Sequence, residues 1–340
     1  MLRSRRARTS QMRSICKMCA FIVKLKADVV YAHIRFRART ASTKARNGVQ
    51  DLTYHFYLYF SKIYAIIKTK THSKEGQRML NTVVSIVKEA AKIMTAGEYI
   101  VSEKGDANFV TDKDVAVERF LRSEITKAFD GIGFMGEEED FAADALTKEY
   151  TAVVDPIDGT MNFTRDMNLS VISVAILKDG KPHVGVVYNP FTNEMFTAER
   201  GKGAFLNGSP IHVSDRGLKS ACFFTAWSTY RKDLAHACFE ISEEVYYDTC
   251  DIRRLGVCAL ELSYMAAGRG ELYFEIRLFP WDFAAAQLIL TEAGGYIGTI
   301  DYDAPVYTRT QPIIAANSKE NFDYLMAKVK KHVPHIPYEE

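Results

Sequence analysis

An apolar run that ends in two closely spaced carboxylates constrains this chain more than any other feature. Residues 151–154 read TAVV, and DPIDGT follows at once at 155–160, so that Asp155 and Asp158 stand three residues apart around a proline. Carboxylates held this close repel one another and raise each other's pKa unless a cation is present. Hard oxygen ligands in small number suit Mg²⁺, which phosphate oxygens often complete. The segment therefore predicts a magnesium site that receives a phosphate.

Two further acidic segments favour the same interpretation. GEEED occupies 136–140, and Asp282 follows Pro280 and Trp281 at the mouth of a predicted apolar helix. A simple turn would explain the Asp155 segment, since Asp, Pro and Gly are common turn residues, and a solvated surface would explain the glutamates. Neither alternative predicts three acidic sites at the ends of elements, since charged residues usually occupy solvated surface. The coincidence favours one shared site.

Charge is distributed unevenly along the chain. Of 340 residues, 47% are hydrophobic, which is enough for one large domain or two smaller ones with a sizeable core. Residues 1–75 hold 17 Lys and Arg against 3 Asp and Glu, a net charge of +14, and the whole chain carries +2, so residues 76–340 carry −12. An acidic globular part argues against nucleic acid as its partner. The six cysteines lack the spacing of a disulfide framework, which favours a reducing compartment, and we expect a cytoplasmic protein.

The first 78 residues form a basic leader. Their Arg-rich, acid-poor composition is typical of a targeting peptide, and the apolar stretch 52–67 is too short and too polar for a membrane span. Three interpretations stay open: a targeting or membrane-surface segment, a basic arm for RNA or anionic lipid, and an extension from a start codon placed too far upstream. Composition favours a disordered or irrelevant leader, with targeting next, and no membrane partner is expected for the core.

Patterned elements begin near Met79. The apolar spacing predicts a helix over 79–96 closed by Gly97, and Thr111 is a predicted N-cap for a second helix with Asp112 and Asp114 in its first turn. The Asp-Gly pair at 179–180 predicts a hairpin between strands over 169–177 and 183–188. Further predicted strands cover 194–198, 221–225, 271–276, 296–300 and 313–316, and further predicted helices cover 231–244, 257–267 and 283–293.

Strands and helices alternate without the regular βαβ spacing of a nucleotide-binding sheet, which favours a layered α+β or mixed sandwich. We expect a globular domain over 79–340, with an inner boundary between Arg200 and Ser220.

Together these motifs resemble the inositol monophosphatase family, and the resemblance covers about residues 80–335. It implies a layered αβαβα fold, usually dimeric, with a Mg²⁺-dependent and often lithium-sensitive phosphomonoesterase activity. The matching motifs are, in chain order, Val110-Thr111 with Asp114 and Glu118, GEE at 136–138, DPIDGT at 155–160 with Asn162-Phe163, GKGAFLNG at 201–208, RRLG at 253–256, Trp281-Asp282 and EAGG at 292–295.

The resemblance also implies a metal site for two or three Mg²⁺ ions. Ile157 would contribute its carbonyl oxygen, and carboxylate ligands would come from Glu137, Asp155, Asp158 and Asp282. Asp114 would orient Thr160 and support a third, weaker metal through water. The Gly159 and Thr160 amides would receive the phosphate, because they open a predicted helix whose N-terminus attracts anions.

The expected mechanism follows from charge. A phosphate monoester dianion repels hydroxide, so two cations must neutralise the ester and lower the pKa of one bound water. Glu137 and Thr160 would position that water and take its proton, in line with the leaving oxygen. By the resemblance, Asp158 and Glu275 would accept hydrogen bonds from substrate hydroxyls. Alternatively, Glu275 is a strand-end charge paired with Arg254 or Arg277.

These features lead to a Mg²⁺-dependent phosphatase of inositol monophosphate or a similar small polyol or sugar phosphate, expected to be a homodimer. The alternative within the family is a 3′(2′),5′-bisphosphate nucleotidase or a fructose-1,6-bisphosphatase. The sequence Met161-Asn162-Phe163 after the turn favours the inositol ester, because many nucleotidases carry a charged Lys-Glu pair there. A rival of another class is an interaction protein tethered to RNA or membrane by its leader.

Overall fold

A computed structural model describes residues 75–105, 108–139, 144–227, 231–300 and 304–333. The elements below belong to the unit Gly76–Glu340. Almost all of the leader lies outside the described residues, so the predictions about it, and the predicted domain limits, stay predictions. No helix in the described part combines the length and the apolar character needed to cross a bilayer.

Two helices and a small hairpin open the fold. Helix α1 is described over 75–94, and Gly97 turns the chain with a φ of 64°. The strands β1 (Val101–Gly105) and β2 (Asn108–Thr111) pair antiparallel and lead into helix α2 (Asp112–Ala128). The predicted N-cap is confirmed: the Thr111 hydroxyl accepts from the Lys113 and Asp114 amides, and the Asp114 carboxylate accepts from the Thr111 amide. This reciprocal capping box fixes where α2 begins.

The larger sheet contains seven strands, which pair in their order along the chain. Strands β3 and β4 are parallel, whereas all later neighbours are antiparallel. The strands are β3 (Gly133–Gly136), β4 (Tyr150–Asp158), β5 (Val171–Lys178), β6 (Lys181–Asn189), β7 (Glu194–Glu199), β8 (Ala204–Leu206) and β9 (Ser209–Ile211). The predicted hairpin joins β5 to β6, with Asp179 and Gly180 both at positive φ, as a type I′ turn requires.

The smaller sheet contains five strands, β10 (Cys222–Ala226), β11 (Asp251–Arg253), β12 (Leu272–Leu278), β13 (Tyr296–Gly298) and β14 (Gln311–Ala316). Their spatial order is β11-β10-β12-β14-β13. Four helices accompany these strands, α4 (Ala235–Asp248), α5 (Cys258–Ala266), α6 (Pro280–Glu292) and α7 (Lys319–His332), and a single-turn helix α3 (Thr160–Phe163) follows β4.

Three apolar clusters show how the layers stack. One joins α1 and α2 to one face of the larger sheet. A second joins α5 and α6 to the opposite face of that sheet and to the smaller sheet. A third joins α4 and α7 to the outer face of the smaller sheet. The order is therefore helices, sheet, helices, sheet, helices, which confirms the predicted αβαβα architecture. The close packing of β6 against α6 requires glycine at position 185, because a Cβ atom there would lie 2.6 Å from the Ala285 carbonyl oxygen.

Three helices begin at residues other than the predicted ones, helix α4 also ends at Asp248 rather than at 244, and helix α7 was not predicted. Helix α1 begins before Met79, because the polar residues 75–78 are helical without extending the apolar pattern. Helix α4 begins at Ala235 rather than at 231, because the 3₁₀ turn Lys232–Leu234 precedes it. Helix α6 begins at Pro280 rather than at 283, because proline suits the first helical position. The last difference places Asp282 inside the first turn of α6.

Candidate active site

Strand β4 carries the first two acids of the site. Asp155 is 2% exposed and lies opposite Ser173 of β5, while Asp158 ends the strand half-buried. In a regular strand, residues three apart face opposite sides. The pairing of β4 with β5 is irregular between Asp155 and Asp158, and such an irregularity allows both carboxylates to face one side.

Helix α6 brings Asp282 to the same place. The Asp282 Oδ2 atom accepts the Phe279 amide at 2.7 Å, which caps the helix and fixes the carboxylate at its N-terminus. One residue earlier, the Trp281 carbonyl accepts the Ser173 hydroxyl at 3.4 Å. Because Ser173 is the cross-strand neighbour of Asp155, this bond ties the start of α6 to the strand pair that carries Asp155.

Glu137 comes directly after β3, beside β4. Gly136, the last residue of β3, pairs with Val154, the residue before Asp155. Since β3 and β4 are parallel, their carboxyl ends meet at the same edge of the sheet, and Glu137 and Asp155 follow at that edge.

The pKa values report how the acids act on one another. Burial raises the pKa of Asp155 well above its ordinary value, and the charges of Glu137, Asp158, Asp282 and Asp114 raise it further. Burial and the charges of Asp158 and Glu137 likewise raise the pKa of Asp282. Burial raises the pKa of Asp158 to about 8, although the Ala259 amide, 2.7 Å from its Oδ2 atom, opposes the shift. Five acids from four separate segments of the chain therefore lie within electrostatic reach of one another.

The donor set fits Mg²⁺ chemically, because it consists of hard oxygens with surplus negative charge. The side chains are not, however, gathered in ligand geometry: within the described residues, no three His, Cys, Asp or Glu side chains surround a common point as ligands would. Backbone amides hold one oxygen of each of three carboxylates, with Ile157 on Asp155, Ala259 on Asp158 and Phe279 on Asp282. Coordination by these residues therefore remains a proposal.

Thr160 lies between Asp114 and the β4 turn. Its hydroxyl is 3.1 Å from the Asp114 Oδ1 atom and 3.0 Å from the Ile157 carbonyl oxygen, and both atoms are acceptors. Asp114 is fully buried, and burial raises its pKa while hydrogen bonds from Thr111 and Thr160 oppose that rise. The structure thus brings Asp114 and Thr160 together, as the sequence predicted.

Gly159 makes the turn from β4 into α3. Its φ is 87°, and a Cβ atom there would lie 2.6 Å from the Val257 side chain and 3.0 Å from the Leu169 carbonyl. Glycine is therefore required both by conformation and by space. Gly159 and Thr160 open α3, and Gly159 has no side chain to cap that helix. N–H groups at the start of a helix lack a partner within the helix and attract anions.

Glu275 lies on β12 of the smaller sheet, half-buried. Its Oε2 atom accepts the Tyr273 hydroxyl at 2.8 Å. Burial raises the pKa of Glu275 to about 7, and the charge of Arg254 opposes that rise. The Arg277 guanidinium lies over the Phe279 ring at 5.1 Å. Arg254 is thus close enough to act on the charge of Glu275.

Two buried glutamates near the site have roles that sequence reasoning did not assign. Glu118 of α2 is 0% exposed and accepts the backbone amides of Glu138 and Glu139. Glu261 of α5 is also 0% exposed, accepts the Leu255 amide at 2.8 Å, and has its pKa raised well above the ordinary value by burial. Both lie on the apolar faces of their helices, and a charged residue on such a face is the signal that could have revealed them.

Comparisons with known proteins agree with this architecture. The model of the inositol monophosphatase family matches residues 72–334. Nus factor SuhB of Escherichia coli (strain K12) is 35% identical over 247 residues, which cover 71% of this chain and 92% of that protein. Inositol monophosphatase 3 of Solanum lycopersicum is 38% identical over 229 residues, which cover 65% of this chain and 85% of that protein.

Among solved structures, the extragenic suppressor protein suhB from Bartonella henselae superposes with a TM-score of 0.69 at 32% identity and covers 75% of this chain and 99% of that one. The family match spans the whole region that carries the predicted site. The chain belongs to the inositol monophosphatase family, whose members are Mg²⁺-dependent and act on small phosphorylated molecules, and it is a phosphoric monoester hydrolase.

Proposed function

We propose that this chain hydrolyses inositol monophosphate, or a closely similar polyol phosphate, at the acidic residues where β4, β3 and α6 meet. The observation that carries the proposal is the mutual repulsion of Asp155, Asp158 and Asp282, which burial and neighbouring charges leave with raised pKa values. A protein retains such a cluster at a cost in stability, and divalent cations offset that cost when they bind.

The proposed ligands belong to two or three Mg²⁺ ions. They are the Ile157 carbonyl and the carboxylates of Glu137, Asp155, Asp158 and Asp282. The Ile157 oxygen accepts from the Thr160 hydroxyl at 3.0 Å and has a second lone pair for a metal. Asp114 would reach the third and weakest ion through water.

In the proposed reaction, Mg²⁺ held by these residues would supply the positive charge that neutralises the phosphate and lowers the pKa of the attacking water. The Gly159 and Thr160 amides receive the phosphate oxygens, and the left-handed turn at Gly159 supports this role because both residues open α3, where N–H groups lack a partner within the helix. Thr160 and Glu137 orient the attacking water and accept its proton. Asp114 holds the Thr160 hydroxyl in place.

The polyol is proposed to lie between Asp158 and Glu275, which accept from its hydroxyl groups. The charge of Glu275 raises the pKa of Asp158, which supports the view that the two carboxylates face one space. The Tyr273 hydroxyl fixes one oxygen of Glu275 and leaves the other for a substrate. The relative from Solanum lycopersicum bears the name inositol monophosphatase, which supports the same substrate class.

Hydrolysis rates on a panel of esters test the substrate. We expect the highest kcat/KM for inositol 1-phosphate with Mg²⁺, compared with fructose 1,6-bisphosphate and adenosine 3′,5′-bisphosphate. Preference for either bisphosphate would assign the chain to the alternative activities of this family. Asp155→Asn serves as the control for contaminating phosphatase, because it removes a proposed ligand while Oδ1 can still accept the Ile157 amide.

The name of the Escherichia coli relative, Nus factor, raises a second candidate, a binding role. The two roles separate on removal of residues 1–74, which keeps helix α1 whole and leaves turnover unchanged in our proposal. Loss of retention on RNA or anionic vesicles with that cut would support a binding role for the leader. A homodimer, lithium inhibition and a cytoplasmic location stay predictions, which light scattering, a LiCl titration and cell fractionation would test.

A further inference from the structure

Glu118 is a buried carboxylate that the catalytic scheme does not use. It lies on α2, is 0% exposed, and sits one helical turn after Asp114 on the same face. Neighbours on that face are the buried apolar residues Val117, Leu121 and Ile125. Burying a charge among apolar side chains is costly unless hydrogen bonds compensate for it, so its partners indicate what it does.

Those partners are backbone groups of the acidic segment GEEED, residues 136–140. The Glu138 amide donates to Oε2 of Glu118 at 2.8 Å, and the Glu139 amide donates to Oε1 at 3.0 Å. The Arg122 guanidinium also donates to Oε1, at 3.3 Å, and to the Glu139 carbonyl at 3.4 Å. Both oxygens of one carboxylate therefore hold two successive peptide groups, an arrangement that restrains orientation as well as position.

Glu137 is the residue enclosed by this arrangement. On one side of it is Gly136, the end of β3, where a Cβ atom would lie 2.3 Å from Oε2 of Glu118. On the other side are the two amides held by Glu118. The backbone that carries Glu137 consequently has little freedom to move relative to α2, and its carboxylate acts on Asp155 and Asp282.

We propose that Glu118 is a positioning residue, which sets the place of the Glu137 carboxylate at the metal site by holding the amides of Glu138 and Glu139. The inference rests on the proposed function, because Glu137 is a proposed ligand. Partners that orient a metal ligand are worth about 10–100-fold in metal affinity.

The test compares Mg²⁺-induced stabilisation of the full chain in wild type, Glu118→Gln and Glu118→Asp. A carboxamide accepts at one atom and donates at the other, so glutamine leaves one of the two loop amides facing a donor. Aspartate keeps both acceptors but is one methylene shorter. The matched control is Glu124→Gln, which makes the same charge change on α2 at a residue that pairs with Lys127.

We expect the Mg²⁺ concentration for half-maximal rise in Tm to increase about 10–100-fold in Glu118→Gln, less in Glu118→Asp, and not at all in Glu124→Gln. The Mg²⁺ requirement for turnover should shift in parallel, with little change in KM for the ester. A purely structural residue would lower Tm equally with and without Mg²⁺, and that result would overturn the proposal.

Circular dichroism decides which variants are folded. If Glu118→Gln is unfolded, Glu118→Asp decides the test. A shift of less than threefold in its half-maximal Mg²⁺ concentration would then count against the proposal. Unfolding of both variants would overturn the proposal, because it would show that Glu118 is needed for the fold itself. A wild-type protein that Mg²⁺ does not stabilise would refute the metal site itself. A stabilised wild type with unshifted variants would refute only the role of Glu118.

Discussion

The Thr160 hydroxyl lies 3.1 Å from the Asp114 carboxylate, and this contact links helix α2 to the turn after β4 across 46 residues of sequence. The other oxygen of Asp114 accepts the Thr111 amide at 2.8 Å. One aspartate therefore both caps a helix and orients the hydroxyl proposed to position the attacking water.

Thr160→Val tests that hydroxyl. Valine preserves the shape of threonine but neither donates to Asp114 nor contacts a water, so we expect kcat to fall by about 10²–10⁴-fold. Stabilisation by Mg²⁺ should remain within about twofold, because the carboxylates are untouched and the loss falls on proton transfer rather than on binding.

The matched control is Thr164→Val, at the residue directly after α3, where the hydroxyl donates to the Met161 carbonyl at 3.0 Å. Its kcat should stay near the wild-type value. Equal losses in the two variants would show that the effect is structural and would remove Thr160 from the mechanism.

The substitution Asp155→Asn should change activity and stability in opposite directions. It removes one charge from a buried, repulsive cluster, so we expect turnover to be lost while the Tm of the metal-free protein rises, by about 2–4 °C for each kcal/mol of relief. The rise in Tm with Mg²⁺ should shrink, since that rise depends on affinity for the folded state.

Calorimetry with and without Mg²⁺ measures both effects. Asp130→Asn, at an exposed position before β3, makes the same charge change and should alter neither quantity. A metal-free Asp155→Asn protein less stable than wild type would mean that the acids do not repel one another as described.

Gly159→Ala tests the turn that presents the amides proposed to bind the phosphate. The left-handed φ of 87° costs a residue with a Cβ atom about 1–2 kcal/mol, and the overlap with Val257 adds about 1–3 kcal/mol. Gly180→Ala is the control, because its φ is 70° but nothing lies within 4 Å of the added Cβ. Denaturant unfolding should show a greater loss at Gly159, and equal losses would argue against a tight turn.

The contacts between α4 and α7 contribute stability that the protein loses in acid. Hydrogen bonds from Lys331, His332 and Lys328 lower the pKa of Glu244 to about 2, from 4.5. A depressed carboxylate pKa adds stability that is complete above the unfolded value and is lost as the pH falls through the folded one. This contribution is thus present at pH 7 and declines between about pH 4.5 and pH 2.

Glu244→Gln should therefore lower the denaturation midpoint at pH 7 and reduce the difference between pH 7 and pH 3. Glu243→Gln, the exposed neighbour, is the control and should follow wild type. Identical pH profiles for wild type and Glu244→Gln would show that these ion pairs contribute nothing, as exposed pairs often do.

The sequence predicted the parts of this molecule that depend on local pattern. Thr111 as a cap, the Asp-Gly hairpin and the strand that runs into Asp155 were each visible in a short window, because caps, turns and alternation are local. The same strand continues to Asp158, which the Pro and Asp residues after Asp155 did not predict. Short strands such as β3 and β8 were missed, since 4 and 3 residues give too little alternation to recognise.

The other features that the sequence did not predict depend on contacts between residues far apart in the chain. The amide partners of Glu118 lie 20 and 21 residues away, and nothing in the sequence of α2 specifies them. The Ser173 to Trp281 bond spans 108 residues and depends on α6 packing over β5. The early start of α6 at Pro280 was predictable from the preference of proline for the first helical position, but the apolar pattern begins only at Phe283.

Anomalous diffraction from crystals soaked in Mn²⁺ tests the central claim most directly, because Mn²⁺ favours the same oxygen ligands as Mg²⁺. The account predicts at least two strong peaks among Glu137, Asp155, Asp158 and Asp282, with carboxylate oxygens at about 2.1 Å. Peaks located elsewhere, or the absence of peaks among these acids at saturating Mn²⁺ while the enzyme turns over, would contradict it.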